Sequence, residues 1–326
     1  MEKILRFGII GPGGIADSQL APALARVPGT ALWSVMSRDH GRAAAFALKH
    51  GAASPSPAHA DLGGMLADPA LDAVVIATPD KLHAPQAIAA AAAGKHVFVE
   101  KPMATNADDA FAMVAACREA GVRLGVGYHN RWHAGHRLLA KAVADGALGS
   151  LRHMRVHWSY EEKDATNWRA HDSVGRWWCM AALGTHCLDV VRWMMVPQCG
   201  EVRAVRALFS NAKFRSPHDE TATVLLRFTN GATAEILASV AMRPERTIEI
   251  HGDKASARCE WTLGAKGVGA ITVGGSPLAF VPANPYVGEL ADFAAAVREG
   301  REPEVDGEEG AKNVALLVAA EDSNGW

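Results

Sequence analysis

The apolar run His96-Val-Phe-Val-Glu-Lys-Pro102 ends in a carboxylate, an amine and a proline, and is the first place where this sequence could do chemistry. A short β-rich apolar run predicts a buried strand, so Glu100, Lys101 and Pro102 fall at its carboxyl end. In an open α/β sheet the connecting helices diverge there and leave a crevice for ligands. An amine in that crevice can hydrogen-bond a substrate hydroxyl and help to move its proton, provided that burial and neighbours tune its pKa. The alternative is a surface Glu-Lys pair closing a strand. A second proton-handling candidate is His186 in Leu183-Gly-Thr-His-Cys-Leu-Asp189, which enters a helix predicted to run to about Met195. His186 and Asp189 are spaced to share a helix face. The imidazole can exchange a proton with a substrate oxygen, or it can be a core histidine satisfied by Asp189.

What favours a catalytic reading of Lys101 over a surface pair is a glycine turn near the N-terminus. The apolar run Ile4–Ile10 stops at Gly11-Pro12-Gly13-Gly14-Ile15-Ala16, and a helical pattern follows through Leu20, Leu24 and Val27. In this strand, turn and helix, Gly11 serves the turn, Gly13 lets backbone approach a pyrophosphate, and Ala16 lets helix pack close to strand. The phosphates would rest on the helix N-terminus. The next strand, Ala31–Met36, ends in Ser37-Arg38-Asp39. An NAD site usually places an acid at that tip for the ribose hydroxyl, whereas a guanidinium matches a 2′-phosphate in charge and fork geometry. Arg38, with Arg42 one turn on, favours NADP. Asp39 keeps NAD as the alternative, and can equally be the N-cap of the following helix. Thr78-Pro79 ends another strand at the expected cofactor edge, and His83 either reaches that edge or caps a helix.

The elements that must position these residues alternate. Helices over 61–67, 83–93 and 107–120 separate strands over 71–77, 97–100 and 122–126, which predicts a parallel, doubly wound Rossmann sheet across residues 1–125. The alternation ends after Gly127-Tyr-His-Asn-Arg131. Residues 126–326 read as an α+β domain: a helix from about His133 to Asp145, then strands on a large, mostly antiparallel open sheet, with a hairpin signal at Asn230-Gly231. A free apolar face of such a sheet usually meets a second subunit. Two amphipathic helices, over 284–298 and 307–320, complete the chain.

Trp158, Tyr160, Trp168, Trp177, Trp178 and Trp193 cluster in this half. Indoles stack on sugar C–H faces but are also ordinary core. Trp168 and Trp177 are expected to line the pocket, with Arg169, His171 and Asp172 as adjacent polar groups. His129, His133 and His136 have metal-like spacing but no acidic third ligand, so a helix start beside the pocket is expected and no metal. A net charge of −2 over 326 residues excludes a generally basic nucleic-acid surface. Five cysteines without a C-x-x-C pair fit reduced thiols. Lacking an apolar run of about 18 residues, the chain is expected to be cytoplasmic, with no membrane partner.

Taken together, Gly11-Pro-Gly-Gly-Ile-Ala16, Ser37-Arg38, Ala77-Thr-Pro79 with His83, Glu100-Lys-Pro102, Gly184-Thr-His-Cys-Leu-Asp189 and Glu289-Leu-Ala-Asp-Phe293 resemble the Gfo/Idh/MocA oxidoreductase family over nearly the whole chain. The resemblance implies an NAD(P)-dependent enzyme moving a hydride between nicotinamide and a secondary alcohol or ketone of a sugar, polyol or related molecule. It makes Lys101 and His186 the catalytic pair and implies a cis Lys101–Pro102 bond. It places Gly11, Gly13, Gly14, Ile15, Ala16, Ser37, Arg38, Arg42, Thr78, Pro79, His83, Glu100, Lys101, Pro102, Trp168 and Arg169 toward the cofactor, and Arg131, Trp168, Asp172 and His186 toward the substrate. It also implies a homodimer or homotetramer built through the C-terminal sheet. The sequence departs from the family where many relatives carry an aspartate four residues before the histidine: Ala182 stands there. That departure supports one alternative, a non-catalytic nucleotide sensor or scaffold; the resemblance leaves a second, a glycoside-cleaving relative that uses a tightly held cofactor transiently.

Overall fold

Strands made wholly of apolar residues need cover on both faces, and Ala73–Ile76 is buried at every position. The computed structural model describes residues 4–171 and 175–324. The first strands and helices are β1 (Leu5–Ile10), a π-type turn Ala16–Leu20 continuing as α1 (Ala21–Leu24), β2 (Thr30–Met36), α2 (His40–His50), β3 (Ala58–His59), α3 (Leu62–Leu66), β4 (Ala73–Ile76), α4 (His83–Ala92), β5 (His96–Val99), α5 (Ala107–Glu119) and β6 (Leu124–Val126). Then come α6 (Ala134–Ala144), β7 (Leu151–Glu161), a second π-type turn Met180–Gly184, α7 (Thr185–Cys199), β8 (Val202–Ser210), β9 (Thr221–Phe228), β10 (Thr233–Ser239), β11 (Ala241–Gly252), β12 (Ser256–Glu260), β13 (Ala270–Val273), β14 (Ser276–Pro277), α8 (Pro285–Glu299) and α9 (Gly307–Asp322).

The chain divides into two compact units, one comprising the residues through Tyr128 with Tyr286–Val314, the other His129–Pro285 with the residues from Ala315. In the first, the six strands run parallel in the order β3-β2-β1-β4-β5-β6. The order reverses between β1 and β4, the position whose carboxyl-end crevice takes ligands in such sheets. Local chemistry sets the helix ends. Asp39 caps α2 by accepting the Arg42 N–H, Gly51 ends that helix in the left-handed conformation, and Asn106 caps α5 through the Asp109 N–H. Helix α8 closes one face, with the Phe293 ring 5.4 Å from Phe98 and 6.1 Å from Phe7.

The second unit is an eight-stranded sheet in the order β14-β13-β12-β11-β7-β10-β9-β8. It is antiparallel except where β10 pairs with β7. One face packs on α7, whose Leu188, Val191 and Met195 are buried as their spacing predicts, against Val156, Val224, Ile236 and Ile250. On the other face Glu235, Arg155, Glu249 and Arg258 stand in register on four adjacent strands as a ladder of alternating charge. Exposed Leu208 and Leu225 lie beside it.

The structure differs from the sequence reading in places with local causes. The edge strand β3 is two residues within a Ser/Pro-rich segment. Although a strand read from the alternation alone starts at Arg246, strand β11 begins at Ala241, because Pro244 falls at a register shift between Ala241 and Glu245, where a proline costs no ladder bond. The Asn230-Gly231 turn is present, with Gly231 at φ 91° and its N–H donating to the Phe228 carbonyl. All five cysteines are buried free thiols, and no helix among the described residues is long and apolar enough to cross a membrane.

Candidate active site

In the first unit, three loop ends meet the criteria for a dinucleotide cradle. Gly11 has φ +88°, and a Cβ there would lie 2.7 Å from Thr78 Cγ2 and 3.0 Å from the Ala77 carbonyl, so glycine alone lets the ends of β1 and β4 pack. At Gly13 and Gly14 a Cβ would meet nothing within 4 Å. That turn therefore presents bare backbone to open space at the start of a helix, which suits a pyrophosphate. Ile15 is half-buried and Ala16 fully buried, as close packing on the strand requires.

At the tip of β2 the Ser37 hydroxyl accepts the Asp39 N–H at 3.3 Å, and Asp39 Oδ1 accepts the Arg42 N–H at 3.1 Å. Asp39 is thus engaged as a helix cap. The Arg38 and Arg42 side chains are exposed. At the end of β4, Thr78 Oγ1 donates to Gln86 Oε1 at 2.7 Å. His83 is 1% exposed, with one ring nitrogen 2.9 Å from the Pro102 carbonyl and the other 2.8 Å from the Thr78 carbonyl. It clamps two loops that follow different strands.

The Lys101–Pro102 bond is cis. Glu100 is buried, and its Oε2 accepts the Lys101 N–H at 3.2 Å, while the Lys101 side chain is half-buried. A buried carboxylate thus folds back on the Lys101 main chain at the carboxyl end of β5. Sequence reasoning missed the other side of this cluster. Tyr286 and Glu289 of α8 are buried, and burial pushes both the phenol and the carboxyl upward, reinforced in each by the Glu100 carboxylate. The only signal was Glu289 as part of a helical motif.

In the second unit His186 stands on the first turn of α7 and is 3% exposed. Its ring lies 4.7 Å from that of His129, edge to face, and 5.5 Å from Trp158. The preceding π-type turn is held by Asp219, whose carboxylate accepts the Trp178 and Met180 N–H groups at 2.9 and 2.7 Å, with Cys179 Sγ at 2.8 Å. Burial raises the Asp219 carboxyl pKa, and these hydrogen bonds oppose it. At Gly184 a Cβ would fall 2.3 Å from Met180 Sδ, so a larger residue there would displace the end of the Met180 side chain. Ala182 in the same turn is half-buried against the core.

Asp189 binds Arg131 in a buried fork, Nε to Oδ2 at 2.9 Å and Nη2 to Oδ1 at 2.6 Å. Arg131 therefore ties the 3₁₀ turn His129–Trp132 to α7, a role that its position in the sequence did not reveal. Trp168 stacks under the Arg169 guanidinium at 4.1 Å, in a loop whose Asn167 donates to Glu162 Oε1 at 2.9 Å. Trp177 is buried in the core with its indole N–H on Glu321 at 3.0 Å. Asp172 lies outside the described residues.

His133 and His136 are structural in their contacts. His133 Nδ1 accepts the Gly135 N–H, and His136 reaches the Asn130 carbonyl at 3.0 Å and Thr262 Oγ1 at 2.7 Å. Burial pushes the His136 pKa down to about 3. Among the described residues no group of three or more His, Cys, Asp or Glu side chains is arranged to hold a metal ion.

Comparison with known proteins agrees with this geometry. Residues 5–128 match an oxidoreductase family with an NAD-binding Rossmann fold, and residues 136–258 match the Gfo/Idh/MocA C-terminal domain. The 1,5-anhydro-D-fructose reductase of Ensifer adhaerens is 32% identical over 96% of this chain and 94% of its own. A D-xylose 1-dehydrogenase (NADP⁺) of Haloferax volcanii is 27% identical over 98% and 97%. The crystal structure of aldose-aldose oxidoreductase from Caulobacter crescentus complexed with glycerol superposes with a TM-score of 0.90 at 27% identity, covering 99% of this chain and 97% of that one. With both of its domains matched and the loop ends of its parallel sheet shaped for a dinucleotide, the chain belongs to the Gfo/Idh/MocA family of oxidoreductases.

Proposed function

We propose that the protein interconverts a secondary alcohol and a ketone of a sugar-like molecule with NADP, using Lys101 and His186 for the proton. The observation that carries this reading is Lys101, half-buried at the carboxyl end of β5 with its main-chain N–H on buried Glu100, in a unit whose glycine turn is open to a pyrophosphate. Hydride exchange is the chemistry that a nicotinamide dinucleotide supplies. The protein's part is to orient the substrate carbon and to hold or move the proton on its oxygen. The Lys101 ammonium can hydrogen-bond that oxygen, and the His186 imidazole can take or give its proton. Trp168 offers an indole face for a sugar ring, and Arg169 above it leaves a cation at the same loop.

NADP is favoured over NAD because Asp39 already caps α2, while Arg38 and Arg42 are exposed at the tip of β2. Titration of the tryptophan fluorescence with NADPH and NADH checks this. NADPH is expected to bind more tightly, and Arg38→Ala to weaken NADPH by about tenfold or more while leaving NADH within about twofold, as loss of one charge-assisted phosphate contact requires. Equal weakening of both nucleotides would remove the phosphate contact from Arg38.

The exposed sheet face with Leu208, Leu225 and the Arg155–Glu249 ladder is assigned to a second copy of the chain. Leu225→Arg is expected to shift sedimentation from dimer or tetramer to monomer without changing the far-ultraviolet spectrum. A wild type that sediments as a monomer at every concentration refutes this assembly.

A further inference from the structure

Helix α8 carries a buried acid that the chemistry above does not use. Phe293 fixes the helix over the sheet: its ring packs on Phe98, and a Cβ at Gly125 would lie 2.7 Å from Phe293 Cδ2. Glu289 is one turn earlier on the same helix face, about 6 Å along the axis. Glu100 is two residues beyond Phe98, about 6.6 Å along the strand. Counted from the Phe293–Phe98 contact, the two carboxyls therefore lie at nearly equal distances along helix and strand. The electrostatics agree, since the groups acting on Glu289 are Glu100 and Lys101, and those acting on Tyr286, a turn further on, are Glu100 and Glu289.

Glu289 is 3% exposed, and neither of its carboxyl oxygens has a hydrogen-bond partner among the described residues. An ionised carboxylate in that position would be stripped of water with no donor in return. Burial, reinforced by the Glu100 carboxylate, accordingly raises Glu289 well above the ordinary carboxyl range, and the Lys101 ammonium opposes the shift. We propose that Glu289 is a positioning residue for Lys101: a buried carboxyl, without a hydrogen-bond partner among the described residues, on the helix packed over the end of β5, which keeps its proton while Glu100 alone carries negative charge beside Lys101. Once ionised, it adds a second negative charge and holds the proton on Lys101 to higher pH. The charged and titratable groups facing Glu289 are thus Glu100 and Lys101 from the end of β5 and Tyr286 from its own helix. The inference rests on the assignment of Lys101 as the active-site amine.

Competitive acetylation of Lys101 with acetic anhydride, read by mass spectrometry of the Lys101 peptide from neutral to strongly alkaline pH, tests it on the full chain without substrate. In Glu289→Gln the second charge never appears, so the midpoint of Lys101 labelling is expected to fall by about one pH unit. Glu289→Leu, which keeps an apolar filling if the amide is poorly accommodated, is expected to show the same fall. An unchanged or raised midpoint in a folded variant overturns the proposal. Because labelling needs no turnover, this outcome is separate from any failure of Lys101 as a catalytic group.

Discussion

Lys101→Ala is expected to lower kcat on a sugar-class substrate by about 10²–10⁴-fold, the usual worth of a positioned proton donor or acceptor, while NADPH still quenches the tryptophans. The structure explains the separation. On the proposed reading the dinucleotide rests on backbone at Gly11–Gly14 and on the exposed cations at the tip of β2, at the ends of strands other than β5, which Lys101 follows. Its main-chain N–H holds Glu100 at 3.2 Å, and that contact survives removal of the side chain. His186→Ala is expected to cost a similar factor. If both groups serve one proton, the double variant should fall little further than the worse single one, because residues that act as a unit are not additive. Steady-state kinetics with separate kcat and KM checks both variants. Turnover within about threefold of wild type in Lys101→Ala would refute the assignment, and a purely additive double variant would refute the shared proton.

Arg131→Met is expected to destabilise the protein by about 3–5 kcal/mol, the usual cost of leaving one charge of a buried pair alone. The two side chains are 4% and 1% exposed, so water cannot solvate the abandoned Asp189 carboxylate. The effect should reach the site as well. Arg131 belongs to the turn that carries His129, Asp189 to the helix that carries His186, and the two imidazoles lie 4.7 Å apart. Loss of the fork frees that spacing. Urea unfolding of Arg131→Met, Asp189→Leu and the double variant measures the cost. The double variant should regain most of the stability lost by either single one, since an apolar pair of similar volume replaces a buried ion pair without large penalty. Single variants as stable as wild type would show that the pair does not hold the turn to the helix.

Much of this was legible in the sequence because the signals were local. A glycine turn between an apolar strand and a helix, or Glu-Lys-Pro at a strand end, fixes the backbone and the side-chain position within a few residues. The place of Lys101 just past β5, that of His186 at the start of α7 and the parallel order of the first unit follow from such signals. What escaped depends on distance along the chain. Asp189 sits at helix spacing from His186, which suggests a local pair, yet its fork is to Arg131, 58 residues away. Glu289 looks like a polar position on an amphipathic helix until α8 is laid over β5. Strand β11 hides its first half behind Pro244, and β3 is too short to show any alternation. The second π-type turn, which sets the approach to His186, leaves no periodic trace in Met180-Ala-Ala-Leu-Gly184.

Segment Tyr286–Val314 belongs to the same unit as the first strands, and its Asp306 bridges to Gly125 on β6. During synthesis, the unit that starts first therefore waits for a segment made near the end of the chain. The glycine turn leaves the ribosome early, but the core beneath it stays open on one face until α8 emerges, after the whole eight-stranded sheet has been made. The sheet unit has most of its chain in hand by then and needs only the end of α9. Order of emergence thus leaves the eight-stranded unit nearly complete before the parallel-sheet unit can close its core.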